Sequence, residues 1–254
     1  ERWHEGVFFS GGLSLHYNDK VTIEESLFAG NRADDGVNIK YSQVTIKNTK
    51  FVGNAADQID LDYCQGIVLE SEFITSSPAN DNGDGIDVSG AGVIVANSFF
   101  SGFGDKGVSI GEKSRVFLVG NRFDKNNNGV AVKDLSQVYF LKNLFNGNAV
   151  DINVYQKKRI FGGGRAVVLR RDVNSFATLK TKFDKKSRVE FVAMDDASWD
   201  RAFPTQADET KRLLNRLQSL YPIQDPFSAE KVTMILPPQA VGGPAEFPRT
   251  AANR

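Results

Sequence analysis

The chain from Val21 to Ser42 reads VTIEESLFAGNRADDGVNIKYS, and variants of this stretch follow one another as far as Gln156. The next two are VTIKNTKFVGNAADQIDLDYC (Val44 to Cys64) and IVLESEFITSSPANDNGDGIDVSG (Ile67 to Gly90). Self-similarity with a period of roughly 22 to 26 residues is typical of solenoids, in which each unit contacts only its neighbours. We therefore look for function on one face of a stack of coils.

Each repeat carries its apolar residues in three short groups that are too brief for a helix. In the first repeat these are Val21 with Ile23, then Phe28, then Val37 with Ile39. The first and last groups alternate with polar residues and are β-branched, a pattern that predicts half-buried strands. Equivalent positions then stack inside the coil as Phe28, Phe51, Phe73, Phe100, Phe123 and Phe145, and as Val37, Ile59, Ile86, Val108, Val130 and Val150.

Three short strands per turn predict an all-β fold, a parallel β-helix of about six to seven coils with rungs about 4.8 Å apart. A leucine-rich repeat has a comparable period, but it needs a ladder of leucines and an Asn or Cys at a fixed offset, which these units lack. A glycine precedes the last strand in several coils, where a sharp bend with positive φ is cheapest for glycine. These glycines are Gly36, Gly85, Gly107 and Gly129.

The repeat indicates three regions along the chain. We expect the β-helix to span residues 1–172 and a C-terminal β/α cap to span residues 173–221, in which ATLKTKF and SRVEFVAM alternate like further strands. After an N-cap at Thr205, a helix laid across the last coil would close the hydrophobic bore. Residues 222–254 contain most of the prolines and predict an extended tail. The apolar stripe of the cap helix comprises Leu213, Leu214, Leu217, Leu220 and Tyr221.

Composition narrows the classes of partner. The formal net charge is zero at pH 7, which argues against nucleic acid as a partner, and no apolar run approaches the roughly 20 residues of a transmembrane segment. The single cysteine, Cys64, excludes an internal disulfide and is expected to be a buried structural thiol.

Basic residues between Lys157 and Arg188 indicate a solvated face, or a surface that docks an acidic partner or a neighbouring copy. Because the first coil would expose a sheet edge, we expect an upstream domain of the same precursor, or a partner, to cover it.

The strand after each glycine bend presents polar side chains outward. Stacking the coils places Asp60 next to Asp87 at about 5 Å, and carboxylates so close must share a proton, recruit a cation or find basic partners. The outward columns are Asn38, Asp60, Asp87, Ser109 and Ala131; Lys40, Asp62, Ser89, Gly111 and Lys133; and, at the bend, Asp35, Asp57, Asp84, Lys106 and Asn128.

Three kinds of chemistry fit these columns. Calcium prefers carboxylate and carbonyl oxygens, and a calcium site would suit an anionic polysaccharide. A glycosidase needs two carboxylates about 5 to 5.5 Å apart for retention or 6.5 to 9.5 Å for inversion, spacings that Asp60 with Asp87 and Asp62 with Asp87 approximate. A lyase or epimerase needs a base, which Lys106 or Lys40 would supply if the neighbouring carboxylates did not raise its pKa. The candidate calcium ligands are Asp57, Asp60, Asp62, Asp84 and Asp87.

Turn chemistry offers an alternative explanation for part of this pattern. Aspartate at a bend bonds its own backbone, which explains Asp35, Asp57 and Asp84 equally well but leaves the other acidic residues of the columns unexplained. We expect a substrate to contact four further positions beside the carboxylates. These are Asn38, Lys40, Asp62 and Ser109.

The coil pattern from Val21 to Gln156 resembles the right-handed parallel β-helix superfamily typified by pectate lyases and polygalacturonases. NGDGIDV (Asn82 to Val88) and GDKGVSI (Gly104 to Ile110) are similar to the paired acidic strands of polygalacturonases. This resemblance implies that Asp84 and Asp105 are catalytic acids, with Lys106 where the family has a second aspartate. The same coils also resemble uncharacterised bacterial β-helix proteins, some of which are fused to spore-coat CotH-like domains.

These observations predict a secreted, periplasmic or cell-surface β-helix module that binds a polysaccharide or a cell-envelope partner through its acidic sheet face. The alternative is a polysaccharide-active enzyme, either a calcium-dependent lyase or epimerase or an inverting hydrolase. Its candidate catalytic residues are Asp60, Asp84, Asp87, Asp105 and Lys106.

Overall fold

The computed structural model describes residues 2–4, 7–75, 82–170 and 178–193. These residues form a parallel β-solenoid of about seven turns with three strands per turn, which confirms the predicted fold. A short antiparallel hairpin of β1 (Arg2–His4) and β2 (Val7–Phe9) precedes the first coil. No helix in this part of the chain is long and apolar enough to cross a membrane.

Sheet 1 carries the outward polar columns. Its eight strands are parallel and follow one another coil by coil, so that each strand lies beside its equivalent in the next repeat. They are β3 (Gly11–His16), β6 (Asp35–Lys40), β9 (Asp57–Asp62), β12 (Asp84–Ser89), β15 (Lys106–Gly111), β18 (Asn128–Lys133), β21 (Val150–Tyr155) and β23 (Thr181–Phe183).

Sheet 2 also has eight parallel strands and follows sheet 1 in every coil. They are β4 (Val21–Glu24), β7 (Gln43–Lys47), β10 (Gln65–Leu69), β13 (Gly92–Ala96), β16 (Arg115–Val119), β19 (Gln137–Leu141), β22 (Arg165–Arg170) and β24 (Arg188–Ala193). The two strands predicted near residues 180 and 190 are therefore present, and they continue sheets 1 and 2. The predicted helix after Thr205 and the tail of residues 222–254 lie outside the described residues.

Sheet 3 is built from three-residue strands that carry the phenylalanine ladder. The rings of Phe73 and Phe100 stack with centroids 4.8 Å apart, and Phe100 and Phe123 follow at 5.0 Å. All three side chains are fully buried, so this column forms the centre of the core as the repeat predicted. The strands are β5 (Leu27–Ala29), β8 (Lys50–Val52), β11 (Glu72–Ile74), β14 (Phe99–Ser101), β17 (Arg122–Asp124) and β20 (Leu144–Asn146).

The register corrects one position of the second predicted core column. Val130 pairs with Ile152, which is fully buried, whereas Val150 pairs with Asn128 and is only half-buried. The cause is an asparagine ladder, in which the backbone N–H of Asn126 donates to Oδ1 of Asn148 at 2.9 Å. Because this bond aligns the two turns, the strand that follows starts two residues later than the valine pattern predicted.

The predicted bend glycines are in fact the second residues of the sheet 1 strands, and they serve a different purpose from the one predicted. Positive φ occurs in the turns after these strands, for example at Tyr41 (51°) and Tyr63 (52°), and not at Gly85 or Gly107. At Gly85 a Cβ would lie 2.4 Å from the carbonyl oxygen of Gly107 in the next coil. Close approach of successive backbones, rather than bend geometry, therefore explains these glycines.

Candidate functional site

The outward face of sheet 1 brings the predicted columns together. Asp60 pairs with Asn38 on one side and with Asp87 on the other, and Asp87 pairs in turn with Ser109. In the neighbouring column Asp62 pairs with Lys40 and with Ser89. The positions of these side chains follow from strand register alone, as the sequence predicted.

Three carboxylates converge at the centre of this face. Asp57, Asp84 and Asp87 each offer a carboxylate oxygen, and these oxygens all lie within 4.8 Å of one another. The backbone N–H of Asp84 donates to Oδ1 of Asp57 at 2.7 Å, which fixes the two coils against each other. Oδ1 of Asp87 is buried and has no hydrogen-bond partner among the described residues, although the side chain as a whole is 28% exposed.

A buried amide separates the next pair of carboxylates. Nδ2 of Asn38 donates to Oδ2 of Asp60 at 2.6 Å and to Oδ2 of Asp35 at 2.9 Å, while Oδ1 of Asn38 lies 3.1 Å from Nε2 of His16. Asn38 is fully buried, as is Ser109. These two predicted substrate contacts therefore bind neighbouring side chains of the protein and are not accessible to a substrate at the surface.

Lysines neutralise part of the acidic face. Nζ of Lys40 lies 2.6 Å from Oδ2 of Asp62, and Nζ of Lys106 lies 3.2 Å from Oδ1 of Asp84 and also contacts Asp105. The ammonium group of Lys106 thus contacts both Asp84 and Asp105, the two acids that the polygalacturonase resemblance selects. Asp57 and Asp60 have no such ion pair within the described part of the chain.

Burial and mutual repulsion raise the pKa of the clustered carboxyls. Burial, with the charges of Asp84 and Asp87, raises the pKa of Asp57 to about 9. Burial raises the pKa of Asp84 to about 7 even though the charge of Lys106 opposes it. The pKa of Asp60 is raised well above its usual range for the same reason, burial first and the charge of Asp62 second. The cluster therefore retains protons at neutral pH.

Neither lysine has the lowered pKa that a catalytic base requires. Burial alone would lower the pKa of Lys106, but the charge of Asp84 and the hydrogen bond to Asp105 outweigh it and raise the pKa. The same balance holds at Lys40, where Asp62 prevails over burial. At physiological pH neither Lys40 nor Lys106 thus supplies the neutral amine that the lyase or epimerase alternative needs.

Lys133 stands in the outward column of Lys40 and Asp62, but it is not among the site residues that the sequence predicts. Its buried ammonium donates to Oγ of Ser109 at 2.7 Å and lies 4.0 Å from Oδ1 of Asp87. The sequence places Lys133 two coils away from Asp87, and only the length of its side chain brings the two together. The sequence signal that could have indicated this contact is a lysine, with its long side chain, two coils from Asp87 in the neighbouring outward column.

A comparison with family models matches residues 35–171 to the right-handed β-helix region, which is more than half of the chain. The chain belongs to this β-helix family. A search of curated proteins finds no match. For this β-helix protein, family membership establishes the architecture, whereas any chemistry depends on the side chains of the acidic face on sheet 1.

Proposed function

We propose that this β-helix protein is an extracellular or cell-envelope module that binds a polysaccharide through the outward face of sheet 1. The observation that supports this most directly is the convergence of Asp57, Asp84 and Asp87 beside Asp60. Equivalent side chains recur at every rung of the solenoid, and such a periodic surface suits a polymer of repeating sugars. Asp62 and Asp87, which are partly exposed, are the carboxylates that a chain lying along the face would touch.

Calcium fits the same cluster. Three carboxylate oxygens within 4.8 Å are the hard oxygen donors that this cation prefers, and the remaining ligands would come from water or the sugar. When bound, calcium would supply a positive charge that bridges the aspartates to an acidic sugar. Asp57, Asp84 and Asp87 would hold it, with Asp60 and Asp62 at its edge.

A hydrolase is the second candidate. A pKa of about 9 keeps the Asp57 carboxyl protonated at neutral pH, which is the state of a general acid, and the partly exposed Asp87 carboxyl lies next to it. Binding remains the first proposal because Lys106 already neutralises Asp84 and Asp105, the two acids that the polygalacturonase resemblance selects. In addition, neither Lys40 nor Lys106 has the lowered pKa of a base.

Calorimetry with a polyuronate and with a neutral glucan, each with calcium and with a chelator, tests the proposal. We expect the polyuronate to bind in calcium, and the affinity to fall at least tenfold, about 1.4 kcal/mol, in Asp87→Asn. The exposed Asp19→Asn is the matched control and should leave binding unchanged. Absence of binding to every glycan, together with no thermal stabilisation by calcium, would reject the module. Turnover lost in Asp57→Asn would instead establish the hydrolase.

A basic segment accompanies the acidic face at the end of the solenoid. Nζ of Lys158 contacts the Glu112 carboxylate, and Arg165 makes a two-pronged pair with Glu190, so part of this charge is internally satisfied. Docking of an envelope component or of a neighbouring copy on the remaining basic residues is a proposal that light scattering at low and high salt would test.

A further inference from the structure

A second apolar cluster lies on the outside of sheet 2, separate from the core inside the coils. Its members point away from the bore because they alternate with inward residues such as Val116 and Leu118. In the first coils the same outward columns are polar, with Thr22 and Thr45 in one and Lys47 in the other. The outer face, as we call it, comprises Ile94, Ala96, Phe117, Tyr139, Leu141, Val167 and Leu169.

This outer face is buried although it points outward. Phe117 is 1% exposed and Leu141 is 0% exposed. These values describe a single chain, so the atoms that cover the face belong to the same molecule. All described strands from β3 to β24 lie in the three sheets, which leaves none of them to cross it. The described strands therefore do not account for this burial.

Apolar side chains at the C-terminal end of the bore are more exposed than those of the outer face. Phe183 and Phe191 occupy inward columns of the last coil, beside Val154 and Val168, yet they are 58% and 44% exposed. An apolar segment that capped the bore would bury these rings first. The apolar side chains at the end of the bore are thus far more exposed than those of the outer face.

We propose that residues 194–221 of this chain dock on the outer face of sheet 2. The described chain ends at Ala193, the last residue of β24, which is itself the terminal strand of that sheet. The next residues thus start at the edge of the outer face. Their sequence contains the predicted helical stripe that includes Leu213, Leu217 and Leu220, which supplies an apolar surface of matching character.

Charge complementarity supports the same occupant. Arg115, Arg165 and Arg188 lie in one column along the edge of sheet 2, beside the outer face. Arg165 and Arg188 share the carboxylate of Glu190, so the rim carries more positive than negative charge. The first 16 residues of the proposed segment carry five acidic residues against one arginine, and these would lie near this rim. These are Asp195, Asp196, Asp200, Asp208 and Glu209.

A polar group within the outer face also needs a partner. The Tyr139 ring stacks on Phe117 with centroids 5.0 Å apart, and its hydroxyl is buried without a hydrogen-bond partner among the described residues. Since an unsatisfied buried hydroxyl costs about 1 to 3 kcal/mol, a polar atom of the docked segment or an ordered water is expected beside it.

Cross-linking in the full chain tests the proposal. The pair Val119→Cys with Leu217→Cys joins the outer face to the segment, and Ser89→Cys with Leu217→Cys is the control on sheet 1. Native Cys64 stays silent because burial raises the pKa of its thiol to about 12. With a short bis-maleimide we expect several-fold more intramolecular product from the first pair. Equal yields would overturn the proposal, and so would products that link only two molecules, because these would assign the outer face to a second copy.

Two further measurements need no engineered pair. In the unmodified chain, hydrogen exchange should show protected amides between residues 210 and 221, and full exchange there would refute docking. Leu217→Asp should lower the Tm and increase binding of an apolar dye, whereas the adjacent Gln218→Asp, off the leucine stripe, should change neither. Equal effects of these two substitutions would likewise count against the proposal.

Discussion

The ammonium of Lys106 lies 3.2 Å from the carboxylate of Asp84, and both side chains are less than a tenth exposed. The pair joins adjacent coils, since β12 and β15 are neighbours and the two residues are direct partners in register. Lys106 also contacts Asp105, so one positive charge serves two carboxylates. A buried cation on β15 therefore joins two carboxylates of the acidic face.

Removing this cation should destabilise the protein strongly. Lys106→Met leaves Asp84 buried without a counter-charge, and losing one member of a buried ion pair costs about 3 to 5 kcal/mol. Lys125→Met, at an exposed lysine 4.0 Å from Asp124, should cost less than about 1 kcal/mol. Urea denaturation of both variants measures the difference. Equal costs would mean that Lys106 is not the counter-charge that holds the face.

Stability should fall as the pH rises through the neutral range. Burial and the neighbouring carboxylates raise the pKa of Asp57 from 3.8 to about 9 in the folded protein, so the folded state binds this proton more tightly than the unfolded state. The stabilisation is complete below about pH 4 and is lost towards about pH 9, at up to about 1.4 kcal/mol per pH unit. Asp57→Asn keeps an oxygen for the N–H of Asp84 and should flatten this dependence.

Thermal denaturation at pH 5 and pH 8 checks the pH prediction. Wild type should have the lower Tm at pH 8, and calcium should restore part of the loss if the cluster binds it. Asp19→Asn, at an exposed position, should keep the wild-type dependence. A Tm that rises from pH 5 to pH 8 would contradict the protonated cluster.

The sequence predicted what strand register determines and missed what side-chain reach determines. The juxtaposition of Asp60 and Asp87 follows from a repeat and a period of two, and the structure confirms it. Val150 lies outside the predicted core column because the hydrogen bond between Asn126 and Asn148, and not the valine pattern, aligns β21 with β18. The contact of Lys133 with Ser109 on the neighbouring strand, and its approach to Asp87 two strands away, depend on rotamers, which no periodicity encodes.

Gly66 should tolerate no side chain. It lies in an inward column between Val44 and Val93, and a Cβ there would sit 1.9 Å from the carbonyl oxygen of Val44. Gly66→Ala must push β10 away from β7, at a cost of about 3 kcal/mol. At Gly111 the nearest atom to a Cβ is the flexible end of Lys133 at 3.4 Å, so Gly111→Ala should cost less than about 1 kcal/mol. Chemical denaturation that ranks the two variants the other way would disprove this account of β10.

A negative charge introduced at position 38 should strongly destabilise the first half of the acidic face. Its neutral amide donates to both Asp35 and Asp60, and burial raises the pKa of each of these carboxyls. Asn38→Asp replaces a donor by a third carboxylate, so at least one group must stay protonated or the coils must separate. The loss of stability should therefore exceed about 2 kcal/mol at pH 8 and shrink at pH 5, where the added carboxyl can take up a proton and donate it. Asn38→Leu removes the donor without adding charge, so its cost should vary less with pH, and denaturation of both variants at the two pH values separates repulsion from a lost hydrogen bond.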